Sequence, residues 1–322
     1  MEEKYDSTRR GAVSFAFQLR QFVQYPVVTS FIAGGVAGAV SRTVVSPLER
    51  AKIIFQVQGP GSKVYNGVGS TLVRMWKEEG WRGYMRGNGT NCIRIVPYSA
   101  VQFSSYTVYK KLIIDTSGQV SEQIQTVQRL TAGALAGITS VFATYPLDIV
   151  RTRLSIQTAQ IAQGPQTQKP PGMLSVMKTI YRTEGGLRAL YRGIVPTTMG
   201  VAPYVGLNFA VYEKMRELFT PDGRKDPTAF GKLASGAVSG AVAQTITYPF
   251  DVLRRRFQVV NMGQGQLGFQ YNSVWHAIVS IIRKEGVVGM YKGLWANLLK
   301  VAPSMASSWL SYEMTKDLLT KL

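Results

Sequence analysis

The chain has 322 residues, 45% hydrophobic and only 17% charged, with 37 Lys+Arg against 18 Asp+Glu for a net charge of +19. The apolar content excludes a disordered chain, the low charge density is unlike an average soluble domain, and the surplus of cations asks for an anionic partner. A single cysteine, Cys92, and a single histidine, His276, exclude a disulfide framework and a structural zinc site.

Residues 1–24 form a short N-terminal segment that is charged from Met1 to Arg10, and no apolar stretch with a small-residue cleavage site follows, so no secretory signal is expected. Six charge-sparse spans come next, at 21–41, 87–109, 130–147, 193–212, 233–250 and 293–312. Each is near the ~20 residues that cross a bilayer as a helix. Four carry no charge; the second holds Arg94 and the sixth Lys300. All mix Ser, Thr, Gly and Tyr with apolar residues, as membrane helices around a water-filled cavity do. Buried helices of a soluble all-α protein would be the alternative. The first, third and fifth spans carry GxxxG, at Gly34 and Gly38, Gly133 and Gly137, and Gly236 and Gly240. Small residues four apart let helix backbones approach closely.

A repeat organises these spans. The pattern Pro, apolar, acid, two residues, base occurs at Pro47-Leu48-Glu49 with Lys52, Pro146-Leu147-Asp148 with Arg151, and Pro249-Phe250-Asp251 with Arg254. The interval is about 100 residues, the mark of a repeat architecture. Two further marks follow in the same order. Glu79-Gly80 precedes Arg86-Gly87, Glu184-Gly185 precedes Tyr191-Arg192-Gly193, and Glu285-Gly286 precedes Tyr291-Lys292-Gly293; then Arg94, Gly200 and Lys300 each stand three residues before a proline. Every copy reads as a small-residue helix, a loop with a short amphipathic helix (about 70–79 in the first copy, with Leu72, Val73 and Trp76 at helical spacing), and a second long helix. The expected fold is therefore all-α and membrane-spanning: six transmembrane helices in three pseudo-threefold repeats, 25–125, 126–226 and 227–322, with short connecting helices.

These residues resemble the mitochondrial carrier family, whose signature Pro-x-[Asp/Glu]-x-x-[Lys/Arg], Glu-Gly and aromatic-[Lys/Arg]-Gly appears three times over nearly the whole chain. Met85 stands where an aromatic is usual, and the second copy has one extra residue, so that Gly186 rather than Gly185 matches its counterparts. The resemblance implies a multi-pass inner-membrane transporter working by alternating access, not an enzyme, with no cofactor. It also implies a monomer, because one chain supplies all three repeats.

A helix-interior proline removes a hydrogen bond and kinks the helix, so Pro47, Pro146 and Pro249 each bend an odd-numbered helix. Acid and base three residues apart share a helix face. With threefold geometry Glu49, Asp148 and Asp251 reach Lys52, Arg151 and Arg254 of neighbouring copies. The family places this ring on the matrix side, braced by glutamines that Gln56 and Gln258 match and Ser155 does not. A second, cytoplasmic ring follows the pattern aromatic-acid-x-x-base: Glu213 with Arg216 and Glu313 with Lys316 match, whereas Thr107 replaces the acid that would accompany Lys110.

Ionisable residues inside membrane spans are costly and point to function. Arg94 and Lys300 are the two such residues, with Gly200 at the third equivalent position. Two cations and one smooth wall suit a ligand with anionic groups at one side and a flat apolar group at the other. In the family these positions resemble substrate contact points: Gly200-Val201 resembles the adenine wall of nucleotide carriers, Tyr204 can stack on the base, and Arg42, Arg94 and Lys300 hold phosphate or sulfate. The stretch from Arg86 to Phe103, with Thr144-Tyr145-Pro146 and Gln244-Thr245-Ile246-Thr247, looks most like fungal carriers of adenosine 5′-phosphosulfate and its 3′-phospho form. Coenzyme A carriers and other adenine nucleotide carriers, including the ATP-Mg/phosphate type, are the alternative. Arg254-Arg255-Arg256 continues as Phe257-Gln258-Val259, unlike ADP/ATP carriers.

Exposed N–H groups at helix starts attract anions. The starts at Arg86-Gly87, Arg192-Gly193 and Lys292-Gly293 resemble the family's cardiolipin sites, making cardiolipin the expected lipid partner. A nucleic-acid binder would show a helix-turn-helix, a zinc finger or an aromatic-rich sheet, and none is present. Neither GxSxG, a P-loop nor HExxH occurs. His276 is read as a packing residue beside Trp275, and the sequon at Asn88 as a helix start.

Overall fold

The computed structural model describes residues 25–59, 67–115, 122–156, 172–220, 227–260, 262, 271 and 273–321. The N-terminal segment 1–24, with the first residues of the first span, lies outside them. Thirteen α-helices and no strand are found among the described residues. They are α1 (Pro26–Val44), α2 (Ser46–Val57), α3 (Val68–Tyr84), α4 (Asn88–Ile93), α5 (Ile95–Lys110), α6 (Glu122–Ile156), α7 (Met173–Thr183), α8 (Leu187–Leu190), α9 (Ile194–Leu218), α10 (Ala229–Val259), α11 (Val274–Glu285), α12 (Leu294–Leu299) and α13 (Val301–Lys321).

The chain divides into two compact units. In the first, α1 packs on α13, and the Ser41 hydroxyl meets the Ser304 hydroxyl at 2.9 Å and donates to the Ser304 carbonyl at 2.8 Å. Arg42, in the last turn of α1, and Lys300, just before α13, belong to this unit, and both are half-buried. The second unit, Ser46–Leu299, holds the remaining helices.

In the second unit the ends of α2, α6 and α10 meet in one apolar cluster. Ile53, Ile54 and Val57 of α2 join Ile156, Val259 and Met75 of α3. Val57, Ile156 and Val259 occupy the same place in each repeat, ten residues past the proline, so the threefold pattern becomes a plug. Two more short helices lie against their own repeats: Val176 and Ile180 of α7 cover Ile149 and Val150, and Ala277 and Ile281 of α11 cover Leu253.

Pro146 and Pro249 sit inside continuous helices, whereas a new helix begins at Ser46, just before Pro47. The even-numbered spans differ from expectation. The second and sixth are broken at Arg94 and Lys300, while α9 runs unbroken through Gly200. Pro97 and Pro303 each follow a break by three residues, but Pro203 stands at the same register inside unbroken α9, so the proline alone does not open the ladder. The first amphipathic helix runs beyond 79 to Tyr84, with Gly80 at φ 62° turning it. Gly186 (φ 69°) and Gly286 (φ 70°) fill the same role, which supports the one-residue offset in the second copy. The glycine pairs are not uniform: no atom stands within 4 Å of a Cβ built on Gly133, Gly236 or Gly240, whereas one on Gly137 would meet Val201 of α9 at 3.8 Å. His276 is exposed rather than packed, its backbone N–H donating to Ser273 Oγ at 3.1 Å. Two helical stretches, Ile124–Ile156 and Leu187–Leu218, are long and apolar enough to cross a membrane by composition alone. α1 passes the same test only when counted together with α2.

Candidate functional site

The three Pro motifs meet in a closed ring. Lys52 Nζ lies 3.0 Å from Asp251, Arg254 Nη2 lies 2.7 Å from Asp148, and Arg151 pairs with Glu49. Each base thus joins the acid of another repeat. Asp148 is fully buried at 1% exposure while Asp251 keeps 33%, and a buried ion pair needs further hydrogen bonds to offset its lost hydration.

That support is unequal. Gln258 Nε2 donates to Asp148 at 2.7 Å and to Tyr145 Oη at 3.3 Å. Gln56 Nε2 donates to Tyr248 Oη at 3.0 Å. Tyr145 and Tyr248, each just before a proline, in turn donate to the Arg192 and Lys292 carbonyls at 2.8 and 3.0 Å. Arg254 also lies over the Tyr145 ring and Lys52 over the Tyr248 ring. At the Glu49–Arg151 pair both supports are missing. Ser155 stands in place of a glutamine and donates to the Arg151 carbonyl, and Ser46 stands in place of the tyrosine. Asn91 Nδ2 reaches Glu49 at 3.4 Å instead.

Arg255 and a second layer of arginines are not evident from the sequence pattern. Arg255 donates to Asp148 and to Gln258 Oε1, at 3.2 and 2.9 Å, and to Thr152. Its neighbours in the Arg254-Arg255-Arg256 run hid which arginine faces the ring. A second layer lies below the first. The glutamates of the Glu-Gly marks hold the arginines that follow the Pro motifs: Glu184 pairs with Arg153 and Glu285 with Arg256. In the first repeat Ile54 occupies that position, and Arg50, one turn earlier, reaches Glu79 at 2.6 Å. Arg50, Arg153 and Arg256 also donate to the carbonyls of Ser155, Gln258 and Gln56.

This layer engages the residues read as lipid ligands. Arg86 lies 3.2 Å from Glu79, Arg192 3.3 Å from Glu184, and Lys292 2.6 Å from Glu285. Burial alone would raise the Glu285 carboxyl, but hydrogen bonds from Arg256 and Lys292 outweigh it and hold the group below its ordinary range. Gly87, Gly193 and Gly293 follow with φ of 76°, 84° and 86°. A Cβ on each would stand 3.0 Å or less from the carbonyl of Arg151, Arg254 and Lys52 respectively. These glycines therefore let each even-numbered helix start pack against the next repeat's ion-paired base.

A cavity of about 360 Å³ opens between α5, α6, α9 and α10. Its lining includes Tyr98, Gly137, Gly200, Val201, Tyr204 and Arg254. The site thus brings Gly200, Val201 and Tyr204 together with a ring cation. The missing side chain at Gly200 serves packing as well, since a Cβ there would lie 3.1 Å from Phe250 Cβ. Arg94 caps the break between α4 and α5, lies over the Tyr98 ring at 5.4 Å, and stands 3.6 Å from Asp148. Lys110, Glu213 and Arg216 are exposed on this unit; in the other, Glu313 is half-buried and Lys316 exposed.

The family model for mitochondrial carrier proteins matches the chain three times, over residues 23–117, 122–223 and 225–322. An uncharacterized mitochondrial carrier of Saccharomyces cerevisiae is 54% identical over 308 residues, covering 93% of this chain and 94% of its own. The mitochondrial adenine nucleotide transporter of Arabidopsis thaliana is 42% identical, with 95% and 93% covered. The mitochondrial coenzyme A transporter of Mus musculus is 36% identical, with 100% and 96% covered. Three signature copies, a ring of ion pairs joining them and a cavity above the ring agree with these matches: the chain belongs to the mitochondrial carrier family and is a multi-pass transporter of the mitochondrial inner membrane, not an enzyme.

Proposed function

We propose that the chain exchanges adenosine-containing anions across the inner membrane by alternating access, with the Pro-motif ring as the matrix gate. The observation that carries this reading is the cavity. One wall is smooth and aromatic, formed by Gly200, Val201 and Tyr204, and Arg254 lines it as well. An adenine ring needs a flat apolar wall, and a phosphate or sulfate group needs guanidinium donors. The names of two relatives, an adenine nucleotide transporter and a coenzyme A transporter, support an adenosine-containing ligand.

Among such anions we assign adenosine 5′-phosphosulfate and its 3′-phospho form, on the sequence between Arg86 and Phe103. Arg94, Lys300 and Arg42 would hold the phosphate and sulfate groups. Adenine nucleotides and coenzyme A form the second reading, favoured by the relatives' names. In this reading the closed ring belongs to the cytoplasm-open state, and Lys110, Glu213, Arg216, Glu313 and Lys316 form the ring that closes in the opposite state. Cardiolipin phosphates would bind the backbone N–H groups at Gly87, Gly193 and Gly293, since the neighbouring bases are engaged by glutamates. The chain would work as a monomer.

The test is thermal unfolding of the detergent-purified protein with adenosine 5′-phosphosulfate, its 3′-phospho form, ATP, coenzyme A or inorganic phosphate. A ligand that binds the folded state at 100 times its Kd adds about 2.7 kcal/mol. A shift with the phosphosulfates and not with coenzyme A or ATP is expected. A shift confined to coenzyme A or ATP promotes the second reading, and no shift with any adenosine ligand overturns the substrate class.

A further inference from the structure

An amide side chain shares the cavity with its smooth wall. Gln244, on α10, lines the same space as Gly200, Val201 and Tyr204 of α9. It stands five residues before Pro249. The same register holds Arg42 in the first repeat and Val141, which also lines the cavity, in the second. The repeat scaffold therefore does not dictate an amide at this place.

The orientation of that amide is fixed. Gln244 Nε2 donates to Asp251 Oδ2 at 3.1 Å, and the same oxygen accepts from Lys52 Nζ at 3.0 Å. A carboxylate paired with a lysine only accepts, so the NH2 end of the amide faces Asp251 and the carbonyl end does not. That bond needs one of the amide's two N–H groups. The other N–H and Oε1 make a donor and an acceptor side by side in one plane. The Thr197 and Thr247 hydroxyls, also in the lining, each have one O–H and donate it to a carbonyl of their own helix, Gly193 at 2.7 Å and Ala243 at 2.8 Å.

We infer that Gln244 selects the base of the ligand. With a purine against the Gly200–Tyr204 wall, Oε1 accepts from the 6-amino group of adenine and the N–H beside it donates to the neighbouring ring nitrogen. A purine with a carbonyl at that position presents an acceptor to Oε1. The amide cannot turn over to suit it, because Asp251 holds the NH2 end. Stacking does not separate the two bases, since each has a π-face. Asp251 is thus a positioning residue for base selection besides its place in the ring. The inference rests on the adenosine-anion reading above and names the part of the ligand that this side chain reads.

The test is a set of dissociation constants for the full chain in detergent, read from the ligand dependence of its melting temperature. The probes are ATP against inosine 5′-triphosphate, and adenosine 5′-phosphosulfate against inosine 5′-phosphosulfate. Each inosine compound carries a carbonyl in place of the amino group. The parent should bind the adenosine member of a pair at least about five-fold more tightly. Gln244→Leu should lose most of that preference by weakening the adenosine member, with the inosine member little changed. Equal constants in the parent overturn the inference and leave the anion reading in place. A preference that survives in Gln244→Leu, with both members weakened alike or not at all, overturns it too and points instead to Gln102, the other amide in the lining. If neither adenosine ligand binds, the substrate reading and this inference fall together. Should Gln244→Leu fail to fold, Gln244→Val, which copies the second repeat, takes its place.

Discussion

The ion pairs Asp148–Arg254 and Glu49–Arg151 come from the same motif and end in different surroundings. Asp148 is gripped by Arg254, Arg255 and Gln258, with Tyr145 behind them. Glu49 has Arg151 and a 3.4 Å contact from Asn91, with serines at the two places where Gln258 and Tyr145 stand. A small polar gap lined by Ser46, Asn91 and Ser155 remains there. The ring is therefore symmetric in charge and asymmetric in strength. The interface between the first and second repeats at Glu49 is the weak joint, and the Arg94 contact to Asp148 adds a second link across the same two repeats.

The largest effect expected of breaking this asymmetry is at Asp148. Replacing it with Asn strands two guanidiniums that are mostly buried, and removing one partner of a buried pair costs about 3–5 kcal/mol. Glu49→Gln should cost clearly less, because Glu49 is more exposed than Asp148. Ligand-free melting temperatures of the two variants check the order. Next comes the brace. Gln258→Ala removes hydrogen bonds to Asp148, Tyr145 and Arg255 and should cost about 1–3 kcal/mol, whereas Ser155→Ala should stay within about 1 kcal/mol. The comparison can also be sharpened: Ser155→Gln should strengthen the weak joint, raising the melting temperature and slowing exchange in liposomes. Unchanged kinetics would mean that the joint does not limit opening.

Much of this was legible in the sequence because the chemistry repeats. Three prolines, acids and bases at one spacing fix which residues face each other, and Gln56 and Gln258 follow from the same count. What stayed hidden depends on contacts between repeats. Nothing in Arg254-Arg255-Arg256 says that the second faces Asp148 and the third Glu285. The role of Arg50 was masked because Ile54 breaks the repeat and the charge moves back one helical turn. Arg86, Arg192 and Lys292 pair with the Glu-Gly carboxylates just upstream, a recurrence the spacing of the marks already carries. The glycine pairs divide between two uses, since Gly133 faces open space and Gly137 faces Val201, and spacing alone does not separate them.

The smallest effect expected lies in the second layer, outside the membrane spans. Glu285 titrates below its ordinary range in the folded protein, so its pairing stabilises the fold at pH values above the range in which an unfolded glutamate ionises, about 4.3. That contribution is lost as pH falls through the folded value. Melting temperature measured from pH 7 downward should decline in the acid range, and Glu285→Gln should show a shallower decline from a lower start. An unchanged slope would show that Glu285 is not a source of the acid sensitivity.

The most direct measurement of the central claim, that inter-repeat ion pairs gate an adenosine-anion carrier, is charge reversal at Lys52 and Asp251. Exchange of radiolabelled adenosine 5′-phosphosulfate and ATP is followed in liposomes for Lys52→Asp, Asp251→Lys and the double variant. Each single reversal should abolish most exchange, and the double should restore a substantial part of it by re-forming the pair with opposite polarity. A double variant no more active than the singles, in a protein whose parent exchanges these anions, would contradict the gate.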